Sequence, residues 1–245
     1  MDGNINWILA DKKIFNPAFA EHRIIGLSYQ TDDILVDMEV YYKKLKGIFT
    51  YQANFTGSQS DSITAFRNNG NGYVKGFDLL LQKKTGILNG WISYSYMQTL
   101  VSSKIDNELF TYVSNRDRPH NLKCTLNFRY HNWTLSAIWM YVSGSPYSLP
   151  SLVNISEDNE HPFMILDKPE TFNSKRLPPV HRLDFSLIRN FNYPQFGAAI
   201  GVSIFNIYNR KNVWRRNFII KNNQRVAIDI YSFGIKPTLF AEISF

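Results

Sequence analysis

Cysteine is nearly missing: Cys124 is the only one in 245 residues. A lone thiol excludes an internal disulfide and any cysteine-based zinc site. Long apolar runs are missing too, so a transmembrane helix, which needs about 18 such residues, is excluded on length. The quietest stretch, Phe196 to Phe205, is broken by Gly197, Gly201 and Ser203. The opening residues Met1-Asp2-Gly3-Asn4 bring neither the basic nor the apolar region of an export signal. Helical periodicity is absent over any useful length. The five histidines are scattered without ligand spacing, so no metal or other cofactor is expected.

Charge is present but diffuse. Lys and Arg number 27 against 20 Asp and Glu, a net charge of +7. The basic residues fall in small groups near strand ends: Lys43, Lys44 and Lys46, then Lys83 and Lys84, then Arg215 and Arg216. Binding to single-stranded nucleic acid needs a basic groove interleaved with aromatics, and that dispersal argues against it.

What is abundant is the aromatic ring: 18 Phe, 14 Tyr and five Trp. Strict alternation accompanies it. Leu122, Cys124, Leu126, Phe128 and Tyr130 alternate with Asn121, Lys123, Thr125, Asn127 and Arg129. Successive strand side chains point to opposite faces, so one face is apolar and the other polar. After the turn His131-Asn132, the residues Trp133, Leu135, Ala137, Trp139 and Tyr141 share a face. Rings at both ends with aliphatic residues between them suit a strand that crosses a bilayer. Similar rows occur at Ile34–Tyr42, Phe77–Leu81, Leu183–Leu187, Ala198–Ile204 and Leu239–Phe245.

Connections alternate in length. Short turns stand at 31–33, 85–86, 131–132, 192–194 and 221–223, and longer polar stretches at roughly 47–72, 99–118, 145–178 and 209–212. Tight turns on one side and long loops on the other are expected of an outer-membrane barrel. About 11 strands are predicted, over 22–30, 34–45, 73–84, 87–98, 119–130, 132–143, 180–190, 196–208, 213–220, 225–232 and 237–245. The fold expected is all-β, an antiparallel up-and-down portion of a transmembrane β-barrel. Single-chain barrels have even strand numbers, and open edges are avoided, so the chain is expected to be part of a longer protein.

Several segments resemble the C-terminal barrel region of TonB-dependent outer-membrane receptors, in particular the Bacteroidetes group. They are Tyr41-Tyr42-Lys43-Lys44-Leu45-Lys46-Gly47, Gly76–Lys84 with Gly90–Tyr96, Arg116-Asp117-Arg118-Pro119-His120-Asn121-Leu122, Arg176–Asp184 and Asn206-Ile207-Tyr208-Asn209-Arg210-Lys211-Asn212. The likeness implies that residues 1–245 form roughly the second half of a barrel of about 22 strands. A plug domain, a signal peptide and the first barrel half would lie outside the chain. It further implies a Gram-negative outer-membrane location and contact with outer-membrane lipid. Energy would come from the TonB complex through the plug, for uptake of a siderophore, cobalamin or an oligosaccharide. Arg116, Asp117, Arg118, His120, Arg176, Pro178, Pro179, Asn206, Tyr208 and Asn209 carry the motifs. Ala241, Ile243 and Phe245 resemble the terminal signal read by the barrel-assembly machinery.

Catalysis finds little support. His181 faces away from Asp184 and Ser186 on one strand, so the three cannot form a relay. Asp37 and Glu39 share a face, but polar lumen lining explains them. Gly70–Gly76 has the wrong spacing for a phosphate loop and precedes a strand. Ligand contact is expected instead in the loop 145–178, with Tyr147, His161, Phe163 and Phe172. Those groups either stack on a ligand or pack the loop on itself. Two other functions stay open: a passive porin-like channel and a soluble β-sandwich binding module.

Overall fold

The computed structural model describes residues 17–53, 64–105, 108–153, 163–165 and 171–245. Among these there are sixteen strands and no membrane-spanning helix. In chain order they are β1 (Phe19–Gln30), β2 (Ile34–Ala53), β3 (Thr64–Lys83), β4 (Leu88–Ile105) and β5 (Glu108–Val113). Then come β6 (His120–Tyr130), β7 (Trp133–Val142), β8 (Pro146–Tyr147), β9 (Ser151–Val153), β10 (Phe163–Ile165) and β11 (Lys175–Arg176). The last are β12 (Val180–Asn192), β13 (Gly197–Phe205), β14 (Val213–Lys221), β15 (Gln224–Tyr231) and β16 (Lys236–Ser244). One sheet runs β1-β2-β3-β4-β6-β7-β12-β13-β16, every pair antiparallel, with β5 added on the upper half of β4. It is open, with β1 and β16 as its two edges.

The register carries the apolar pattern across the whole sheet. Leu27 lies opposite Met38, Met38 opposite Leu79, Leu79 opposite Tyr94 and Tyr94 opposite Leu122. On the other side Leu126 meets Ala137, Ala137 meets Phe185, Phe185 meets Ile204, Val202 meets Leu239 and Ile200 meets Ala241. Residues directly opposite point to the same face, so nine strands share one apolar surface. The reverse face holds Asp37, Glu39, Asp78, Ser95, Asn121, Lys123, Arg182, Asp184 and Glu242, with apolar residues such as Leu80, Trp91, Ile138, Met140 and Phe240 among them.

Among the described residues no second layer covers either face. Among the described residues the buried hydrophobics are Val101, Val142, Leu177 and Val213, all at the long-loop end. On the inner strands, flanked on both sides, Met38, Ile92 and Leu126 are still 41%, 47% and 46% exposed. A β-sandwich buries its inner faces against one another, and this sheet does not.

Aromatic side chains mark two levels on the apolar face. Tyr29, Tyr130, Trp133 and Phe191 lie near the short turns. Towards the loops, Tyr42 stacks with Tyr73, Tyr96 with Phe77, and Tyr94 with His120. Along β7, Trp133 and Tyr141 are eight residues apart, which at strand rise is about 26 Å. Counted inclusively the span is nine residues, the lower end of the about 9–11 that a tilted barrel strand uses to cross the hydrocarbon core.

Two expectations need correction. The segments 213–220 and 225–232 are strands, as expected, but they do not cross with the others. They form β14 and β15, which among the described strands pair only with each other, while β13 pairs directly with β16. The turn 221–223 therefore tips a hairpin at the loop end and is not one of the short turns of the sheet. Removing a pair of strands leaves parity unchanged, so Phe245 still lies on the short-turn side. Second, parts of the stretches 47–72 and 99–118 are not loop. The β2–β3 ladder continues through Ala53 opposite Thr64, and β4 runs on to Ile105 beside β5. Irregularities between Lys46 and Thr50, with Gly47 at a φ of 68°, let the ladder twist as it leaves the belted region.

The short turns are knitted together. The Asp33 carboxylate accepts from Lys83 Nζ at 2.7 Å and from the Thr85 hydroxyl, joining the β1–β2 turn to the β3–β4 turn. Asn190 N–H donates to the Asn132 carbonyl at 2.8 Å, joining the next two.

Candidate functional site

The loop end of the sheet is where polar groups become buried. Three sequence motifs, far apart along the chain, meet there. Asp117 is 1% exposed; its carboxylate accepts the Thr99 N–H and pairs with the Arg176 guanidinium. Arg176 also donates to the carbonyls of Asp117 at 3.0 Å and Gly144 at 3.4 Å. A side chain at Gly144 would run into the Leu177 carbonyl, so only glycine permits this close approach. Arg118 donates to Ser145 Oγ at 2.6 Å, and the His120 N–H to Ser143 Oγ at 3.1 Å. The segment 116–120 is thus clamped to both ends of the β7–β12 connection.

A second clamp holds the β14–β15 hairpin. Asn206 is fully buried, and its φ of 54° is one that asparagine tolerates better than most residues. It donates Nδ2 to the carbonyls of Arg210 and Phe233, and its N–H to Asp184 Oδ1 at 2.8 Å. Asn209 Oδ1 accepts the Ile235 N–H at 3.0 Å. Asn212 bonds both backbone groups of His181, accepting its N–H and donating to its carbonyl. Buried side-chain amides used in this way replace the backbone partners that the turn cannot supply.

Above this rim the hairpin leans on the β7–β12 connection. Arg216 forms a two-bond pair with Asp229, at 2.6 and 2.8 Å, and donates to Tyr147 Oη at 2.9 Å. Those bonds hold the Asp229 carboxyl below its ordinary value and the Arg216 guanidinium above its own. Arg225 donates to the Pro150 carbonyl and lies over Phe218.

The four candidate ligand-loop residues fare differently. Tyr147 is engaged with Arg216 and lies 6.1 Å from Phe218. Phe172 packs edge-on against Tyr112 at 5.7 Å, and burial raises the Tyr112 phenol pKa. Phe163 begins β10, and His161 lies outside the described residues. Two of the aromatics therefore pack the loop against other elements, Tyr147 against the β14–β15 hairpin and Phe172 against β5.

The other motif residues line the same end. Tyr208 stands edge-on to His181 at 6.0 Å, Pro179 accepts from Arg210 through its carbonyl at 3.4 Å, and Pro178 and Arg116 are exposed. Ala241, Ile243 and Phe245 lie at the opposite end, all exposed, with Ala241 and Ile243 on the apolar face of the edge strand. Sequence reading named Asn212 and Arg216 without giving either a role at the site, and passed over Thr99. The Asn-Arg-Lys-Asn run at 209–212 was a legible signal for the first, because short amide side chains favour turns.

On the polar face charged side chains among the described residues pair locally. Arg182 pairs with Asp184 at 2.9 Å along its own strand and lies over Phe205, instead of bridging to a neighbouring strand. No group of three or more metal-binding side chains occurs among the described residues. A shallow cleft lies between Ser136, Asp184, Ser186 and Ser203.

With this geometry in hand, similarity becomes decisive. The model of the family described as "TonB dependent receptor-like, beta-barrel" matches residues 15–209. The chain belongs to this family. No curated protein matches its sequence. Among solved structures, a chain of the FpvAI–pyocin S2 complex is similar over 96% of this chain and 28% of its own, at 10% identity and a TM-score of 0.61. The outer-membrane transporter YddB from Escherichia coli is similar over 93% of this chain and 32% of its own, at 12% identity and 0.57. The FrpB iron transporter from Neisseria meningitidis follows at 93% and 31% coverage, 14% identity and 0.53. The chain thus spans about three-tenths of the length of these structures. At such low identity the likeness speaks for the fold.

Proposed function

We propose that the chain forms part of the wall and the outer loops of an energised importer in a Gram-negative outer membrane. Its apolar face would meet lipid, and its polar face would line a lumen. The single observation that carries this reading is the apolar surface shared by nine registered strands and bounded by two aromatic levels. On this orientation the short turns and Phe245 are periplasmic, and the β14–β15 hairpin stands outside the cell. A siderophore, cobalamin or an oligosaccharide would be captured by the loops and released inward unchanged, with the drive supplied through TonB and a plug domain. Further strands would pair with β1 and β16 to close the barrel, and the exposed row ending at Phe245 would be offered to the assembly machinery.

The test is fractionation followed by uptake. The protein should resist extraction by alkaline carbonate and appear in the outer-membrane fraction. Uptake of its nutrient should stop when TonB is deleted. Uptake that continues at the same rate without TonB would favour the porin-like channel instead. Recovery in the soluble fraction would end the membrane reading altogether.

A further inference from the structure

On the apolar face, one cation near the short turns has no acidic partner. Arg189 lies in the row Leu183, Phe185, Leu187, Arg189, opposite Trp133 on β7 and Ile200 on β13. Its guanidinium sits 5.1 Å from the Trp133 ring centre and 4.9 Å from that of Phe191. Trp133 is 42% and Ile200 58% exposed, so this corner of the sheet opens outward. The comparable cation on that face, Lys83, is already neutralised by Asp33. Among the described residues Arg189 forms no ion pair or hydrogen bond and touches only rings.

Rings steady a guanidinium through its faces but leave the N–H edge unspent. A charged side chain is costly among lipid tails, and that cost is relieved where it reaches the headgroup level. Arg189 is at that level, since its neighbour Asn190 bonds the turn residue Asn132. The chemistry that completes such a site is anionic and bidentate in its acceptance: the two non-bridging oxygens of a phosphate diester whose acyl chains run along the adjoining aliphatic rows. We infer that Arg189, held by Trp133 and Phe191, binds the phosphate of a membrane phospholipid in the leaflet at the short-turn end. The inference rests on the membrane reading of the sheet.

The test uses the membrane-extracted protein in detergent, titrated with phosphatidylglycerol, diacylglycerol or inorganic phosphate and read by native mass spectrometry. Phosphatidylglycerol should bind, and Arg189→Gln should weaken it about tenfold or more, as expected on losing charged hydrogen bonds. Arg189→Lys should fall between, because it keeps the charge and loses the fork. Diacylglycerol, which lacks the phosphate, should bind the unsubstituted protein and the Arg189→Gln protein alike, and inorganic phosphate should not compete at millimolar concentration. Equal lipid affinity of the Arg189→Gln protein would overturn the assignment, as would equal binding of inorganic phosphate. Carbonate extraction run in parallel separates the two ideas. If the unsubstituted protein leaves the membrane, the lipid-facing reading fails first; if it stays and the variant binds equally, only the site fails.

Discussion

Between its aromatic levels the sheet has neighbours only within its own layer, whereas at the loop end side chains are buried from all sides. Met38, Ile92 and Leu126 stay exposed in the first region although strands flank them on both sides, while Asp117, Asn206 and Asn212 are almost fully enclosed in the second. The unusual feature is the inversion. Here the hydrophobic rows face outward and the best-buried groups are polar. A soluble protein cannot hold such rows in water, but a bilayer supplies the missing second layer for the first region. The second region projects beyond lipid and must organise itself with hydrogen bonds. Two solvents thus shape one sheet.

The largest expected effect tests the outward-facing rows. Ala137 lies midway between Trp133 and Tyr141 on the apolar face, and Ile138 points to the other side. Ala137→Arg should destabilise the folded protein in lipid vesicles by about 2–4 kcal/mol, as an arginine at the bilayer midplane does. Ile138→Arg, opposite Asp184 on the polar face, should cost well under half of that. Denaturant titration of both variants reads the difference directly. Equal costs would mean that the two faces meet the same medium.

Next in size is the buried rim. Asp117→Ala removes the acceptor of the Thr99 N–H and the partner of Arg176, whose own side chain is 37% exposed and can recover water. A loss of about 1–3 kcal/mol is expected from the unmatched buried donor. It should appear as faster amide exchange near Thr99 and Gly144, with the strands between the belts unaffected. Thr99 exchange unchanged in the variant would show that the carboxylate is not what protects it.

Comparable but more local is the contact between Gly201 and Phe240 across β13 and β16. A Cβ at Gly201 would come within 2.2 Å of the Phe240 ring, which therefore has to swing away. Gly201→Ala should cost about 1–2 kcal/mol, the usual penalty of overpacking. Phe240→Ala made with it should remove most of that penalty, because the obstructing ring is gone. Additive losses in the double variant would show that the glycine serves some other purpose.

The same comparison explains what could be read from the residues alone. Strands 121–130 and 133–141 were legible because lipid on one side and a wet face on the other impose alternation along most of their length, with Ile138 and Met140 the departures. Where β2 and β3 run beyond Lys46 and Gly72 the alternation fades, so the ladder persists without a pattern to announce it. The hairpin β14–β15 misled for the opposite reason. It alternates because one face leans on Tyr147 and Pro150, and that imitates a membrane strand. The distinguishing mark was charge inside the row: Arg216, Phe218 and Ile220 lie on one face, with Asp229 and Arg225 opposite. The Asp117–Arg176 clamp joins residues 59 apart, and no local pattern encodes such a meeting.

The smallest effect expected concerns acid. Asp229 is held below its ordinary value of 3.8, first by its hydrogen bonds to Arg216 and then by the charge of that guanidinium. A carboxyl with a depressed folded value stabilises fully above its unfolded value, and the contribution disappears as pH falls through the folded one. The pair is about one-fifth exposed on each side, so its worth is below about 1 kcal/mol. Lowering the pH below 4 should therefore loosen the hairpin from Tyr147 and raise its protease sensitivity, while the belted strands stay protected. Asp229→Asn should show the looser hairpin already at neutral pH and no further change on acidification. A hairpin cut equally at both pH values in the unsubstituted protein would mean that its attachment depends on the Asn206 and Asn212 clamp alone.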